Sequence, residues 1–357
     1  MLERQRVVGR FADPSCPTEV ANGLLPYLAG RAGISRLRFA EPPTEFKDGW
    51  ETYTYHFQLE PASSLPTEFK QPLIARIYSS PEGRPRAAHE FAVLRHMRRL
   101  GYAVPQPLFL EESSECFGGP FLIVAQAPGR NLLNHLLNQP WRIFVDPARM
   151  AEAHARLHGL PADDFPARPG SFLTRHLKRM AKVIRDHDLG ELSSGLAWLV
   201  AQRPPPAKEL SIVHLDFHPI NLIHHADHSL VVLDWPEADV GDAHADVATT
   251  LMLMECVQPE AERTYGPVAR HTGRWLCRRW YLRTYRRRRS LDTARLAYFR
   301  AWAALRRLCV YGQWLRAGPQ STGSKPSLLE HLHLDHLETL QTYFHKWTGV
   351  RACLKLS

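Results

Sequence analysis

The stretch His214-Leu-Asp-Phe-His-Pro-Ile-Asn221 is the densest run of polar side chains in the chain, and Asp234-Trp235 follows thirteen residues later. Two short apolar segments of strand type, residues 211–213 and 230–233, flank this run. Mg²⁺ prefers oxygen ligands and usually takes few of them from protein, leaving the rest to water and phosphate. Two carboxylates and one amide on a strand–loop–strand unit therefore indicate a site for magnesium and phosphate.

The same string, followed by Leu-Asp-Trp, resembles the catalytic loop of the aminoglycoside phosphotransferase family, His-x-Asp-x-x-x-x-Asn and then Asp-Trp. Choline, homoserine and macrolide kinases use this pattern, which is related to the protein-kinase motifs. The resemblance implies that Asp216 is the catalytic residue that orients or deprotonates the acceptor hydroxyl. It also implies that Asn221 and Asp234 are the Mg²⁺ ligands. His214 would brace the loop.

A second segment, Gly241-Asp-Ala-His-Ala-Asp-Val-Ala248, is similar to the Gly-Asp-x-x-x-Asp-Leu-Ala segment of that family, which implies that Asp246 supports the catalytic loop. Position 215 departs from the family pattern, because it is Gly in many members and Leu here, but no ligand is lost. Asp and Asn in a loop are usually caps or turn formers. The match at four positions, the strand-like flanks and the order of the two segments favour the kinase interpretation.

The N-terminal half carries a candidate phosphate-binding pair. Arg76 stands where the family has a nucleotide-binding Lys or Arg, late in the third strand, and Glu90 follows fourteen residues later. The resemblance implies that Glu90 pairs with Arg76 and fixes it over the α- and β-phosphates of ATP. Arg and Lys are not interchangeable at a tight site, so Arg76 departs from the members that have Lys. The segment Phe46-Lys-Asp-Gly-Trp-Glu-Thr-Tyr-Thr-Tyr55 looks like the phosphate-covering turn, although it holds one glycine only.

The segment Phe121-Leu-Ile-Val-Ala-Gln-Ala-Pro-Gly129 resembles the hinge strand of the family, whose backbone groups near Ala125 and Ala127 would bond to adenine. Ala151-Glu-Ala-His-Ala-Arg-Leu-His158 resembles the family's helix that ends in Leu-His. The resemblance covers about residues 45–255 and leaves the stretch after about residue 260 without a specific match.

The expected fold is α+β: a two-lobed protein-kinase-like fold with a small antiparallel-sheet lobe and a large, mostly helical lobe. Residues 1–125 would form the nucleotide-binding lobe, and residues 126–357 the lobe with the catalytic loop and the acceptor site. The pattern of apolar residues predicts strands at 51–59, 72–78, 121–125, 211–213 and 230–233. It predicts helices at 86–100, 131–138, 147–158, 172–185 and 195–202, and further helices to the C-terminus.

Composition is typical of a globular protein, with 44% apolar and 23% charged residues in 357. No apolar stretch is long enough for a transmembrane helix or a signal peptide, so no membrane insertion is expected. The six cysteines are scattered without a Cys-x-x-Cys pair, which argues against a zinc ribbon or a disulfide framework and favours a reducing cytoplasm. The formal net charge is +9, and thirteen arginines against Asp292 lie between Arg274 and Arg316.

Three other functions are weighed against the kinase interpretation. Six histidines between 214 and 244, together with His154 and His158, raise the possibility of zinc, but no His-Glu-x-x-His is present. The run Arg283-Thr-Tyr-Arg-Arg-Arg-Arg289 could stack nucleic-acid bases. However, Cys277, Tyr281 and Tyr285 recur at a spacing of four, which is typical of a buried helical stripe with the arginines on its solvated face. No nucleic-acid partner is therefore expected.

The most serious alternative is a catalytically weak, kinase-like nucleotide-binding module, which Arg76 and the turn with one glycine suggest. The presence of Asp216, Asn221 and Asp234 together favours an ATP- and Mg²⁺-dependent phosphotransferase acting on a hydroxyl of a small metabolite or natural product. Because the arginine-rich segment lies where this family builds its acceptor site, we expect a neutral or anionic acceptor rather than a polycationic aminoglycoside. Glu330, Asp335 and Glu338 remain as possible acidic lining.

Overall fold

The computed structural model describes residues 11–354 apart from 35, 47–51, 62–64, 79, 114, 226–228, 258–261, 263–264, 323 and 326–333. The chain divides into two compact units. The first holds the described residues up to Phe91, together with Gln106–Gln126 and Thr322–Lys325. The second holds Ala92–Pro105, Ala127–Ser321 and the described residues from 334 onward.

The first unit is built on one antiparallel sheet of five strands in the order β1-β2-β3-β5-β4. The strands are β1 Phe39–Glu45, β2 Tyr53–Leu59, β3 Leu73–Ile77, β4 Pro107–Glu111 and β5 Phe121–Ala125. Every second side chain of β2 is buried, as expected for a strand with one face on a core. That core also takes Val20, Leu24 and Leu28 from helix α1, Pro17–Ala32. The predicted strands of this half are confirmed, whereas α1, β1 and β4 were not predicted.

Helix α2, Arg84–Arg99, begins in the first unit and ends in the second. Gly101 follows it with φ +66°, a left-handed conformation that glycine adopts readily at helix ends. The predicted helix at 86–100 is confirmed.

The second unit is mostly helical. Its helices are α3 Leu132–Asn138, α4 Asp146–Leu157, α5 Phe172–Asp186, α6 Ser193–Ala201, α7 Ala243–Cys256, α8 Pro267–Arg288, α9 Thr293–Ala317 and α10 Leu334–Thr348. Two small antiparallel sheets lie among them, one of β7 and β10 and one of β6, β8 and β9. These strands are β6 Arg130–Asn131, β7 Ser211–Val213, β8 Leu222–His224, β9 Leu230–Val232 and β10 Asp239–Gly241. The α+β class, with the antiparallel sheet first and helices dominating afterwards, is confirmed.

Helix α7 is buried along almost its whole length and packs against α9, which also contacts α10. Helix α8 packs against α4 through a stripe that includes Cys277, Tyr281 and Tyr285. All three side chains are buried, which confirms the stripe predicted from their spacing. Among the described helices, none has both the length and the apolar character that crossing a bilayer requires.

The division between the units follows the expected boundary near residue 126 but differs from it at two segments. Residues 92–105 belong with the second unit, where the Tyr102 hydroxyl donates to the Ala153 carbonyl over 2.9 Å and the Ala103 carbonyl accepts from Val232 N–H. Thr322–Lys325 belong with the first, where Lys325 Nζ lies 2.8 Å from Glu45. The nucleotide-binding and acceptor roles assigned to the two parts of the chain stay predictions.

Candidate active site

The loop after β7 starts with a left-handed turn at Leu215, where φ is +64° and the side chain is fully buried. A leucine in this conformation costs roughly 1–2 kcal/mol relative to glycine. The carboxylate of Asp246, in the first turn of α7, offsets that cost because it accepts hydrogen bonds from His214 N–H and Leu215 N–H, the latter over 2.7 Å. The geometry explains in physical terms why glycine suits this position, and it places Asp246 in the loop-supporting role implied for it.

Asp246 is itself flanked by two buried histidines, His154 of α4 and His158 directly after that helix. His154 Nε2 and His158 Nε2 lie 3.0 Å and 3.2 Å from its carboxylate oxygen. Their Nδ1 atoms lie 2.7 Å and 2.6 Å from the hydroxyls of Tyr281 and Tyr285. Burial lowers the pKa of both imidazoles, so each is neutral and accepts from a tyrosine at Nδ1. His158 Nε2 donates to Asp246, whereas His154 Nε2 lies beside the same oxygen without an aligned hydrogen bond. Burial would raise the pKa of Asp246, but the two histidines hold it well below its usual range.

The cluster of His154, His158 and Asp246 has ligand atoms within 4.8 Å of one another, close enough to hold a metal. The donor atoms are already engaged, however, by tyrosine hydroxyls on one side and by backbone N–H groups on the other. We therefore interpret the cluster as the support of the catalytic loop rather than as a zinc site.

A second such cluster joins His135, Asp146 and His224. There the buried Asp146 carboxylate accepts two hydrogen bonds of 2.9 Å from the Arg142 guanidinium, and Arg149 lies 3.5 Å away. Two guanidinium groups beside the carboxylate oppose a further cation at that place.

His214 is fully buried and joins the start of the catalytic loop to Leu233, the residue after β9. Its Nε2 donates to the Leu233 carbonyl over 2.9 Å, and its Nδ1 accepts from the Asp216 N–H over 3.2 Å. Burial lowers the pKa of this imidazole, which keeps it neutral and able to do both. The ring also packs edge-on against Trp235, with centroids 4.6 Å apart. These contacts fit the bracing role implied by the resemblance.

Asp216 lies next to the side chains of Asn221, His218 and Arg307. Asn221 Nδ2 donates to Asp216 Oδ2 over 2.8 Å, and His218 Nε2 lies 3.4 Å from the same oxygen. Arg307 Nη2 lies 3.4 Å from Asp216 Oδ1. Burial would raise the pKa of Asp216, but His218, Arg307 and His214 together hold it far below its usual range. Asp216 is therefore an ionised hydrogen-bond acceptor at neutral pH.

The two implied metal ligands lie at one end of the β8–β9 hairpin. Asn221 precedes β8 and Asp234 follows β9, and the Leu233 N–H donates to the Asn221 carbonyl over 2.8 Å, which joins the two ends. Asp234 has φ +66°, the left-handed region that Asp tolerates better than most residues. Because Asn221 commits its amide nitrogen to Asp216, its amide oxygen remains as a ligand. An amide oxygen and a carboxylate form a donor set that suits Mg²⁺.

The Arg76–Glu90 pair implied by the resemblance is formed in the first unit. Arg76 Nη1 lies 3.0 Å from Glu90 Oε1, and the Glu90 side chain is 1% exposed. The Tyr78 hydroxyl donates to the other Glu90 oxygen over 2.8 Å. Glu90 is thus fixed on two sides, and it fixes the Arg76 guanidinium at the end of β3.

The hinge segment leaves some of its backbone groups available. The Ala125 N–H donates to the Gln106 carbonyl over 2.8 Å, so of this residue only the carbonyl could meet adenine. Within the described part of the chain, the Ala127 N–H has no hydrogen-bond acceptor. Gly129 has φ +127°, and a Cβ there would come within 2.2 Å of the His224 carbonyl oxygen, so only glycine fits. Half of the expected phosphate-covering turn, residues 47–51, lies outside the described residues.

Two contacts of the catalytic loop were not predicted. His218 is inside the motif but was assigned no role, and Arg307 was one of thirteen arginines treated as a group. The Arg307–Asp216 contact joins residues 91 positions apart in the chain. The Arg307 guanidinium also lies 6.0 Å from the ring centroid of the buried Tyr311, four residues later on α9, but this spacing gives no sequence signal for a contact with the loop.

The chain is similar to known proteins of one family. The chain matches the model of the family described as "APH: Phosphotransferase enzyme family" over residues 43–311. The structure of the aminoglycoside phosphotransferase APH(4)-Ia is similar, with a TM-score of 0.59, 15% identity and coverage of 92% of this chain and 98% of that one. The amicoumacin kinase hAmiN, solved with AMP-PNP, Ca²⁺ and its substrate, has a TM-score of 0.55 and 19% identity, with coverage of 87% and 89%.

A curated relative, acyl-CoA dehydrogenase family member 10 of Mus musculus, is 27% identical over 175 residues, which are 44% of this chain and 16% of that protein. The chain spans less than a quarter of the length of the curated relatives it matches. The family match covers most of the chain, including the whole catalytic loop and the Arg76–Glu90 pair. The solved structures confirm the predicted protein-kinase-like fold. The chain therefore belongs to the phosphotransferase enzyme family.

Proposed function

We propose that this enzyme transfers the γ-phosphoryl group of ATP, with Mg²⁺, to a hydroxyl of a small metabolite or natural product. The observation that carries the proposal is the arrangement of Asp216, Asn221 and Asp234. One side-chain hydrogen bond of 2.8 Å joins the first two, and the β8–β9 hairpin brings the third to the same place. The similar kinase hAmiN was solved with a nucleotide analogue and a divalent cation, which supports nucleotide binding here. A cytoplasmic setting, expected from the sequence, is part of the proposal.

Asn221 and Asp234 would hold the metal, which supplies positive charge to neutralise the phosphates of the donor. Phosphoryl transfer needs little covalent help from the protein, so positioning and charge do most of the catalysis. In the first unit, Arg76 would add positive charge at the α- and β-phosphates, and Glu90 would keep its guanidinium in place. The carbonyl of Ala125 and the N–H of Ala127 would bond to adenine.

Asp216 would accept a hydrogen bond from the acceptor hydroxyl and so aim its oxygen at the γ-phosphorus. The hydroxyl oxygen forms the new P–O bond, the bond to the ADP oxygen breaks, and the hydroxyl proton passes to the Asp216 carboxylate. The lowered pKa of Asp216 makes it a weak base, which suits a transition state in which the proton leaves late. Asp246 and His214 act through this loop as positioning residues.

Substitution of the three residues tests the proposal. We expect Asp216→Asn to lower kcat by about a hundredfold or more, because it removes the group that orients the hydroxyl and takes its proton. Binding of Mg·ATP to this variant is expected to change little. Asp234→Ala is expected to weaken Mg·ATP binding by about tenfold or more, because a charged ligand is lost. Isothermal titration measures binding, and ATP consumption over amino alcohols, sugars, nucleosides, macrolides and aminoglycosides measures transfer.

Asp186→Asn is the matched control, since Asp186 pairs with Lys182 on the surface of α5. We expect it to behave like the wild type. Near-normal turnover of the Asp216→Asn variant on the true acceptor would contradict the assignment of this loop. Binding of Mg·ATP by the wild type without turnover on any acceptor would instead favour a catalytically weak nucleotide-binding module.

A further inference from the structure

Eight of the thirteen arginines between residues 274 and 316 divide into two groups by their ion pairs or their contacts with the catalytic loop. Most of those with ion pairs meet carboxylates away from the catalytic loop. These pairs are Arg274–Glu262, Arg278–Glu255, Arg288–Glu152, Arg289–Glu209, Arg295–Asp242 and Arg316–Glu191. Arg306 and Arg307, adjacent on α9, contact the catalytic loop itself. Among these eight arginines, Arg306 and Arg307 are the pair placed to contact a molecule bound at Asp216.

Arg307 brings its charge to the catalytic carboxylate. Its Nη2 lies 3.4 Å from Asp216 Oδ1, and its side chain is 19% exposed. The partial exposure means that a bound molecule can reach the guanidinium. The neighbouring Arg306 brings a second guanidinium to the same loop, where its Nη2 donates to the Leu215 carbonyl.

Arg306 has no ion pair within the described part of the chain. Its Nη2 donates to the Leu215 carbonyl over 3.3 Å, and its guanidinium lies 5.5 Å from the ring centroid of Trp302. Its Nη1 is buried without a hydrogen-bond partner. Burial and the neighbouring Arg307 lower the pKa of this guanidinium, and Glu237 and Asp216 act too weakly to offset them. A buried guanidinium donor without an acceptor is costly, and an anionic ligand would relieve that cost.

We propose that Arg306 and Arg307 bind an anionic group, a carboxylate or a phosphate ester, on the same small molecule whose hydroxyl meets Asp216. The inference rests on the proposed function and names the class of its acceptor. The planar guanidinium fork matches the geometry of carboxylate and phosphate oxygens. Because Arg307 already touches Asp216, the anionic group and the reacting hydroxyl must lie within a few bonds of each other. The anion keeps its bonds during the reaction and serves to hold the acceptor.

Matched acceptors test the charge preference. One arm uses short hydroxycarboxylates, namely glycolate, glycerate and 3-hydroxybutyrate, each against its primary amide. A second arm uses glycerol 3-phosphate against glycerol, and a third uses ethanolamine and kanamycin as cations. The readouts are kcat/KM from ATP consumption and the thermal midpoint with Mg·AMP-PNP present. We expect at least one anionic member to exceed its neutral partner by about tenfold or more, as charge-assisted hydrogen bonds allow. The arm that responds identifies the anion.

Variants connect that preference to the arginines. We expect Arg307→Gln to lose the preference for the anionic member and Arg307→Lys to keep part of it, because a point charge remains without the fork. Arg306→Met keeps much of the apolar volume and is expected to weaken anion binding as well. Arg286→Gln is the matched control, since Arg286 is an exposed arginine of α8 away from the loop.

Three results would overturn the inference. Equal or better turnover of neutral or cationic acceptors by the wild type would do so, and the enzyme would still be a phosphotransferase. A loss of Mg·AMP-PNP affinity in Arg307→Gln as large as its loss of acceptor preference would assign Arg307 to the nucleotide instead. If no acceptor is phosphorylated, the absence of an anion-dependent thermal shift would also overturn it. Failure of the wild type to bind Mg·ATP is a separate result and counts against the proposed function.

Discussion

One carboxylate oxygen of Glu90 lies beside Arg76 and the other accepts a hydrogen bond from the Tyr78 hydroxyl. This arrangement predicts that substitution of Arg76 weakens ATP binding more than substitution of Glu90. We expect Arg76→Ala to raise the KM for ATP by about tenfold or more, because a charge-assisted contact to phosphate is lost. Glu90→Gln is expected to raise it by about threefold, since Glu90 acts only by orienting Arg76. Steady-state kinetics with varied ATP measures both.

Tyr78→Phe is the control for that series, because it removes the other hydrogen bond of Glu90 and leaves the Arg76 contact in place. It is expected to leave the KM for ATP nearly unchanged while lowering stability slightly. If both Arg76→Ala and Glu90→Gln bind ATP as the wild type does, this end of β3 does not serve the nucleotide.

The residues of the catalytic loop could be predicted because their spacing along the chain is short and fixed. Asp216, Asn221 and Asp234 lie on one loop and one hairpin, so neighbours in sequence become neighbours in space. The conformation of Leu215 could not be predicted from its identity, since leucine disfavours φ +64° and the hydrogen bonds that the backbone N–H groups donate to Asp246 stabilise it. Arg307 was missed for a different reason, because α9 reaches the loop through tertiary packing alone.

At the scale of elements, β1, β4 and α1 of the first unit were not predicted, because each contains proline where its secondary structure disfavours it. β1 contains Pro42 and Pro43, which strands tolerate only at edges or irregularities. It is an edge strand of the sheet, and its pairing with β2 shifts register twice. β4 starts at Pro107 on the opposite edge. Helix α1 carries Pro26 in its interior, so its pattern does not read as one continuous helix.

The contact between α4 and α8 predicts that the protein loses stability when the hydroxyl of Tyr281 or Tyr285 is removed. Tyr281→Phe and Tyr285→Phe would each leave a buried imidazole Nδ1 without its hydrogen bond, at about 1–3 kcal/mol of unfolding free energy. Both histidines lie beside the same Asp246 oxygen. The loss of unfolding free energy in the double variant is therefore expected to differ from the sum of the losses in the two single variants. Urea denaturation followed by fluorescence measures the change.

The loop supported by Asp246 gives the same variants a functional readout. We expect kcat to fall while the KM for ATP stays near its wild-type value, because Asp246 holds the backbone before Asp216 and not the nucleotide. Tyr265→Phe removes a hydroxyl bonded to the Leu137 carbonyl at a less buried place and is the control. Loss of stability without any change in kcat would limit the α4–α8 network to a structural role.

At the scale of the whole molecule, buried neutral histidines predict that the enzyme loses stability in mild acid. Burial, assisted by the neighbouring His154, lowers the pKa of His158 to about 4, from 6.5 in an unfolded chain. Burial also lowers the pKa of His154, His176 and His214. Between pH 6.5 and 4 the unfolded chain therefore binds protons that the native protein does not, and by linkage the free energy of unfolding falls with falling pH.

His158 alone is expected to contribute a loss of about 3 kcal/mol over this interval, at about 1.4 kcal/mol per pH unit. The carboxylates of Asp216 and Asp246 affect stability only at lower pH. Their native pKa values lie below 3.8, so their contribution to the free energy of unfolding is lost only as the pH falls below about 4. Urea denaturation at pH 7, 6, 5 and 4.5 measures the slope. His158→Gln should lower stability at pH 7. It should also reduce the slope of unfolding free energy against pH by the amount that corresponds to about one proton. His345→Gln, at an exposed position of α10, should leave this slope unchanged. A free energy of unfolding that stays constant from pH 7 to 5 would mean that these imidazoles take up protons in the native protein, and the neutral hydrogen-bond network around Asp246 would then be wrong.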